Sequence, residues 1–172
     1  MPEIIFDNCV LSNFAISDLP TGQADSLNII KTLYANKAYI TDFASAENLR
    51  GILKGYKGLI MIRDAVRNGW LKEMTLKGKK EKALFESLSV SLGFGEASSI
   101  AVARTRGFIF ACDDKAARKE ASLLGVKLTG TIGILVKAIR RNIVDLKQAD
   151  EILNNMVAYG FYSPISSIKK AL

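Results

Sequence analysis

A set of acidic residues in this chain follows short apolar segments or lies near the predicted starts of helices. Asp7 follows EIIF (3–6), Asp113 and Asp114 follow FIFAC (108–112), and Glu47 and Glu96 lie near predicted helix starts. Carboxylates that come together repel each other unless a cation neutralises them, and hard oxygen ligands suit Mg²⁺ or Mn²⁺. The pattern predicts a divalent-metal site, where paired ions about 3.5–4 Å apart can activate water and stabilise the leaving oxygen of a phosphodiester.

Each of these acids also has a purely structural interpretation. Asp7 can close an Asx turn after a strand. Glu47 and Glu96 can complement helix dipoles, and Asp113 or Asp114 can act as an N-cap. The residue types alone leave both interpretations open, but their joint placement favours a site.

The chain contains no histidine and only two cysteines, Cys9 and Cys112. The lack of histidine excludes Ser-His-Asp and Cys-His nucleophiles and removes the commonest zinc and iron ligand. Two cysteines in apolar stretches are too few for a disulfide framework and are typical of small buried side chains. Any chemistry must therefore depend on carboxylates or on a metal that they hold.

The net charge of +7 is unevenly distributed. Residues 1–70 carry 7 Lys/Arg and 7 Asp/Glu, whereas residues 71–172 carry 17 and 10. The excess suits a polyanionic partner such as nucleic acid, although solubility explains it equally well. One group of basic residues is a lysine run that we interpret as a solvated face: Lys77, Lys79, Lys80 and Lys82. A second group lies closer in sequence to the acids and could contact phosphates: Arg104, Arg106, Lys115 and Arg118.

Short apolar segments alternate with amphipathic ones along the chain. The predicted strands are 3–6, 38–41, 70–75, 108–112 and 126–129. Helices are predicted over 24–36, around Glu47 with Ser45 as its cap, over 58–68, after Gly78 as far as Leu92, over 96–106, over 115–124, after Gly130, over 145–159 and over 164–171. This alternation predicts an α/β fold with about five short, mainly parallel strands between two helical layers. Sites in such folds lie beyond the carboxyl ends of strands, here at Asp7, Asp42, Asp113, Asp114 and Thr131.

Several segments resemble the PIN-domain family, in a branch related to VapC-type toxin ribonucleases. The similar segments are DNCVLSNFA (7–15), ITDFASAENL (40–49), GEASSIAVARTRG (95–107), FIFACDDKAARKEA (108–121) and LTGTIGILVKAIRRNIV (128–144). The resemblance runs from residue 3 to about 144, and residues 54–92 match only in helical character. It implies a three-layer α/β/α domain.

The resemblance also implies roles for individual residues. Asp7, Glu47, Glu96 and Asp114 match the acidic catalytic set, and the metal ligands are expected among Asp7, Glu96, Asp113 and Asp114. Which of the two adjacent aspartates faces the metal is left open. Asn8 stands where a hydroxyl residue is common, and Thr131 matches a hydroxyl near the metal. Independently of the resemblance, Arg104, Lys115 and Arg118 are expected near the substrate because they lie close to the acids in sequence. Asp42 lies off the family position and is interpreted as a solvated acid.

The expected function is a Mg²⁺/Mn²⁺-dependent endoribonuclease, the toxin paired with a small antitoxin protein. One alternative is a catalytically silent PIN module that binds RNA or a protein. Another is a flavodoxin-like phosphotransfer domain, which Thr129-Gly130-Thr131 disfavours because a lysine is expected after that strand.

The PIN-like domain is expected over residues 1–144, with residues 145–172 forming a helical extension packed on it. The apolar stripe of this extension is expected either to cover the sheet of its own chain or to form a homodimer. We expect no membrane span, because no apolar run approaches ~18 residues, and no signal peptide, because Glu3 and Asp7 interrupt the start. A cytoplasmic protein is predicted.

Overall fold

A parallel β-sheet lies at the centre of the computed structural model, which describes residues 2–17 and 26–172. In these residues the strands are β1 (Ile4–Phe6), β2 (Ala38–Thr41), β3 (Leu71–Met74), β4 (Ile109–Ala111) and β5 (Leu128–Thr129), in the order β3-β2-β1-β4-β5. Every strand pair is parallel. The sequence-based prediction of a mainly parallel sheet of about five strands is confirmed.

Strand β1 is the middle strand and pairs with both β2 and β4. Ile4, Ile5 and Phe6 are each 0% exposed, which explains why this strand is an unbroken apolar run. The chain crosses from β1 to β2 and β3 on one side, and later returns to β4 and β5 on the other. The carboxyl ends of β1 and β4 therefore form the switch point at which parallel sheets open a crevice.

Helices cover both faces of this sheet. Their bounds are α1 (Asn8–Ile16), α2 (Ser26–Tyr34), α3 (Asp42–Leu53), α4 (Ile60–Arg67), α5 (Gly78–Leu88), α6 (Phe94–Arg106), α7 (Lys115–Leu123), α8 (Thr131–Arg140) and α9 (Leu146–Ala158), with 3₁₀ turns at Lys57–Leu59 and Ile168–Ala171. Side chains alternate across a strand, so Ile4 and Phe6 pack with α1, α2, α8 and α9, whereas Ile5 packs with α5, α6 and α7. The expected three-layer α/β/α arrangement is therefore present.

The start of α3 differs from the prediction. Thr41, not Ser45, is the N-cap, and its Oγ1 accepts a hydrogen bond from the Ala44 N–H at 3.2 Å. Thr41 both ends β2 and caps α3, so no loop separates the two elements. As a result Glu47 is the sixth residue of α3, and the prediction that it lies near a helix start was wrong.

Two other predicted helices are shorter in the structure. Helix α5 ends at Leu88, and Leu92 packs against the same apolar cluster from the turn that follows. The segment predicted as helix 164–171 forms only the 3₁₀ turn, because Asp150 of α9 accepts hydrogen bonds from the Ser167 hydroxyl and the Ile168 N–H. The first residues of the predicted helix 24–36, at 24–25, lie outside the described residues.

Helix α9 packs against the same core as the sheet. Leu153 and Met156 are each 1% exposed, and Ile168 of the final turn is 0% exposed. Most of the apolar stripe in residues 145–172 therefore covers the chain's own core, while Val157 stays exposed. Among the helices in the described ranges, none is both long and apolar enough to cross a bilayer.

Candidate metal centre

Four carboxylates act on one another at the carboxyl edge of the sheet. Asp7 directly follows β1, Asp114 follows β4, Glu96 lies in the first turn of α6 and Glu47 lies in α3. Burial and then the charges of Asp7, Asp114 and Glu47 together raise the pKa of Glu96 to about 7, against the opposing hydrogen bond from the Gly93 N–H. Side chains separated by more than a hundred positions in sequence therefore share one electrostatic site.

Asp7 is the buried member of this acidic cluster (Asp7, Glu47, Glu96 and Asp114). It is 4% exposed, and its backbone N–H donates to the Ala111 carbonyl at 2.9 Å, which fixes it beside the end of β4. Its Oδ2 accepts the Cys9 N–H at 3.2 Å and caps α1. Burial raises the pKa of Asp7, the hydrogen bonds from Cys9 and Asn8 oppose this rise, and the charge of Asp114 adds to it. The capping role and the acidic cluster thus involve the same carboxylate.

Glu47 is held against the start of α6. Its Oε1 accepts the Gly95 N–H at 3.0 Å, and burial raises its pKa, as does the charge of Asp7. A Cβ atom at Gly95 would lie 2.6 Å from Glu47 Oε2. The glycine therefore leaves the space that the Glu47 carboxylate occupies. Glu96 is oriented separately, because its Oε2 accepts the Gly93 N–H at 3.3 Å across the first turn of the helix.

The two adjacent aspartates have different surroundings. Asp114 is exposed and caps α7 by accepting the Ala117 N–H at 2.8 Å, and its charge raises the pKa of both Asp7 and Glu96. Asp113 instead accepts hydrogen bonds from the Thr131 N–H and hydroxyl and from the Asn13 amide, at 3.0, 2.5 and 3.2 Å. Asp114 therefore belongs to the acidic cluster, whereas Asp113 joins β4 to α8 and α1.

The other polar residues predicted near the site lie around it. Thr131 is fully buried, and its hydroxyl is bonded to Asp113 and Asn13. Asn8 adjoins Asp7, and its buried Oδ1 accepts no hydrogen bond from the described residues. Asp42 begins α3 and accepts its neighbour's N–H, from Phe43, at 3.0 Å. Asp42 is not among the charges that raise the pKa of Glu96.

The basic residues predicted near the substrate are only partly brought to the acidic cluster. Lys115 is exposed and directly follows Asp114. Arg118 donates to the Cys112 and Thr129 carbonyls at 2.7 and 2.8 Å, so it ties the ends of β4 and β5 together. Arg104 lies in the last turn of α6, and eight helical residues separate it from Glu96 by about 12 Å along the axis. The structure does not bring it to the acids.

Two further arginines have clear surroundings. Arg106 pairs with Glu81 at 2.7 Å, and this hydrogen bond is the main reason that the pKa of Glu81 falls to about 2. Arg50, which the sequence reasoning missed, is exposed, and its positive charge lowers the pKa of Glu47. Its i,i+3 spacing from Glu47 on one helix was the signal that could have identified it. Arg50 and Lys115 are thus exposed cations beside two members of the acidic cluster.

Two thiols lie beside Asp7. Ligand atoms of Asp7, Cys9 and Cys112 lie within 4.8 Å of one another, and Cys112 Sγ is 4.0 Å from Asp7 Oδ2. The contact with Cys112 and burial both raise the pKa of the Cys9 thiol. Both side chains also pack in the apolar cluster around α6. They therefore form part of the apolar wall next to the carboxylate.

The donor set of the acidic cluster fits a hard divalent cation. Its ligand atoms are carboxylate oxygens, and burial, followed by repulsion between the acids, raises the pKa values of Asp7, Glu47 and Glu96. A bound cation would relieve that repulsion. Asn8 Oδ1 offers one more buried oxygen next to Asp7. Asp7, Glu96 and Asp114 are the carboxylates that could supply ligands to such an ion, and Glu47 interacts electrostatically with Asp7 and Glu96.

Comparison with known proteins agrees with this geometry. A family model described as a PIN domain matches residues 3–172, which is nearly the whole chain. The match includes α9 and the final 3₁₀ turn as well as the sheet and the acidic cluster. No curated protein shows significant similarity to the chain.

Proposed function

The chain belongs to the PIN-domain family, and we propose that it is a Mg²⁺- or Mn²⁺-dependent endoribonuclease that hydrolyses RNA phosphodiesters. PIN domains are in general nucleases that act on nucleic acids. The observation that carries the proposal is the convergence of Asp7, Glu47, Glu96 and Asp114, with the pKa of Glu96 raised to about 7 by burial and by the other three charges. Such a cluster is costly to the fold without a cation, so a metal-binding role explains why it is there.

In this proposal Asp7, Glu96 and Asp114 hold the metal. When bound, the ion supplies charge neutralisation at the phosphate and lowers the pKa of a water molecule. Asp7 is kept in position by the α1 cap and by its hydrogen bond to β4. Glu47 is held by Gly95, so its carboxylate faces the same site and can orient the attacking water through a hydrogen bond. The surrounding hydrogen bonds keep these carboxylates in position before substrate arrives.

Exposed cations beside the acidic cluster would bind the phosphate backbone. Arg50 lies one turn from Glu47, and Lys115 directly follows Asp114. Phosphate contacts position a substrate without reading its bases. The proposed enzyme therefore gains affinity for RNA in general from these two residues, and lower salt should strengthen binding.

A biological setting can also be proposed. We infer a cytoplasmic toxin that is paired with a small antitoxin protein and forms a homodimer. The motif resemblance to VapC-related proteins supports this assignment, and Val157 and Tyr159 at the end of α9 are 46% and 48% exposed. Light scattering of the wild type and of Val157→Asp should distinguish a dimer that this face forms from a monomer. A wild type that stays monomeric at high concentration would contradict the dimer.

The decisive experiment is cleavage of RNA oligonucleotides with Mn²⁺, with Mg²⁺ and with a chelator. We expect metal-dependent cleavage by the wild type and by Asp42→Asn, and none by Asp7→Asn or Asp114→Asn. Asp42 is the matched control because it is an acid at the same edge but outside the acidic cluster. If the wild type binds RNA but cuts it under no metal condition, the nuclease proposal fails and the chain is a binding module.

A further inference from the structure

An exposed aromatic side chain lies beside the acidic cluster. Phe94 is the first residue of α6 and is 56% exposed. It precedes Gly95, whose N–H binds Glu47, and it lies two residues before Glu96. Single exposed apolar residues are common on protein surfaces. Phe94 is distinguished by its position next to Gly95, which binds Glu47, and by what holds its ring.

Two other rings fix the orientation of Phe94. Its ring centroid lies 5.9 Å from that of Phe43 and 5.7 Å from that of Phe85, at interplanar angles of 76° and 64°. Phe43 and Phe85 stack on each other, with ring centroids 4.8 Å apart and an interplanar angle of 25°. These residues come from α6, α3 and α5, and we call them the aromatic platform. Edge-to-face and stacked contacts of this kind hold a ring in place, so Phe94 is ordered before any ligand binds.

The aromatic platform is connected to the acidic cluster through two helices. Phe43 and Glu47 are four residues apart on α3, so they lie on the same face of that helix. Phe94 and Glu96 share the first turn of α6. A substrate whose phosphate lies at the acids would therefore have a neighbouring nucleotide within reach of Phe94.

The charge around the aromatic platform suits a nucleic acid. Helix α5, which carries Phe85, also carries Lys79, Lys80 and Lys82, and all three are exposed. Lys82 precedes Phe85 by one helical turn. An aromatic face next to exposed cations is how proteins bind single strands, with rings under the bases and cations on the phosphates.

We propose that the aromatic platform is a subsite that stacks an unpaired nucleobase next to the phosphodiester held at the acidic cluster. This inference rests on the proposed ribonuclease function. A base inside a duplex has both faces covered by its neighbours, so only an unpaired base can lie against Phe94. Every base has an aromatic face, so the contact selects strandedness and not sequence.

The first test uses an indole reporter. Trp70 is the only tryptophan in the chain, so Trp70→Phe combined with Phe94→Trp gives a single reporter at the platform. Asp7→Asn is included to prevent cleavage. We expect single-stranded RNA to quench the indole fluorescence and a blunt duplex of the same sequence to leave it unchanged. Leu53→Trp in the same background is the control, since Leu53 is 80% exposed and ten residues beyond Phe43, about 15 Å along α3.

The second test measures affinity in the Asp7→Asn background. We expect Phe94→Ala to weaken single-stranded RNA binding about fivefold or more, because it removes the base–aromatic stacking contact. Phe94→Tyr keeps an aromatic face and should recover most of that loss, whereas Leu53→Ala should bind like the parent. An oligonucleotide with one abasic position should bind more weakly to protein with Phe94 but not to Phe94→Ala, since both changes remove the same contact. Melting temperatures establish that each variant is folded.

The inference is overturned if Phe94→Ala binds single-stranded RNA like its parent, or if duplex and single strand quench the reporter equally. It is also overturned if Phe94→Ala abolishes binding of a protein partner and leaves RNA binding intact. These binding measurements do not depend on cleavage. A wild type that shows the stacking signature but never cuts RNA would therefore reject the nuclease proposal and not the stacking site. A protein that cuts RNA but binds it equally well with Phe94 and with Phe94→Ala would reject the stacking site and leave the nuclease proposal intact.

Discussion

The Asp113 carboxylate accepts two hydrogen bonds from Thr131, one from the backbone N–H at 3.0 Å and one from the hydroxyl at 2.5 Å. These bonds join the end of β4 to the first residue of α8. Asn13 of α1 donates to the same carboxylate at 3.2 Å. Because its oxygens already accept these hydrogen bonds, Asp113 connects the elements around the site. Asp114 is the neighbour whose charge acts on Asp7 and Glu96.

This division predicts opposite effects for two neighbouring substitutions. Asp113→Asn replaces an acceptor oxygen with a donor and loses at least one of the bonds, which should cost about 1–3 kcal/mol. Its melting temperature should fall by several degrees with or without Mn²⁺. Asp114→Asn should keep the cap of α7, because Asn caps as well as Asp, and should lose the response to Mn²⁺. Thermal melts of both variants check this, and the reverse pattern would show that Asp113 is the metal ligand.

The Asp7→Asn variant should separate metal binding from folding. Asn can still cap α1, and the substitution removes a buried charge that Asp114 repels. We expect its metal-free melting temperature to equal or exceed that of the wild type. We expect RNA cleavage to fall at least about a hundredfold, the scale at which loss of one electrostatic group acts. Mn²⁺ at a hundred times its Kd should stabilise the wild type by about 2.7 kcal/mol and this variant by much less.

Asp42→Asn is the control for that experiment, because it removes an acid outside the acidic cluster. Its cleavage rate and its response to Mn²⁺ should match the wild type. The proposed mechanism would be contradicted if Mn²⁺ did not change the melting temperature of the wild type and Asp7→Asn still cleaved RNA.

Glu96 should make the metal-free protein less stable as the pH rises. Its pKa is about 7 in the folded protein and near the ordinary 4.5 in the unfolded chain, so the folded state binds the proton more tightly. The contribution to stability is therefore full below about pH 4.5 and is lost as the pH rises to about 7. Partial exposure limits the effect to about 1 kcal/mol.

Glu96→Gln removes the titrating group and should flatten this part of the pH profile. Melts of both metal-free proteins between pH 4.5 and 8 measure the difference. Saturating Mn²⁺ should reduce this loss of wild-type stability between about pH 4.5 and 7, because the ion favours the ionised carboxylate. Parallel profiles for the two metal-free proteins would contradict the assignment of the titration to Glu96.

Gly95→Ala should impair activity more than stability. The new Cβ would lie 2.6 Å from Glu47 Oε2, and the flexible carboxylate can move away from it more easily than the backbone can. We expect kcat to fall about tenfold or more, the scale of a misplaced catalytic group, with a melting temperature within a few degrees of the wild type. Adding Glu47→Asp shortens the displaced side chain, which tests whether the clash is relieved. A large loss of stability in the single variant would instead indicate that the helices themselves are forced apart.

Local patterns in the sequence determined much of the fold. The five strands, the glycine that ends α6 at φ 73° and the parallel arrangement follow from short apolar runs, turn residues and helical periodicity, which are local features. The positions of Asp7 and Asp114 at strand ends were also readable, because parallel strands place their carboxyl ends at one edge.

The tertiary structure decided what the pattern could not. It separates Asp113 from Asp114 through Thr131, since which neighbour bonds α8 depends on how β4 and β5 pair. It brings Glu47 to Gly95 across 48 positions and Phe94 to Phe43 across 51, and it leaves Arg104 at the far end of its helix. These contacts depend on the packing of α3 against α6. No local periodicity encodes such packing, because it arises from the shapes of surfaces that meet only after the chain has folded.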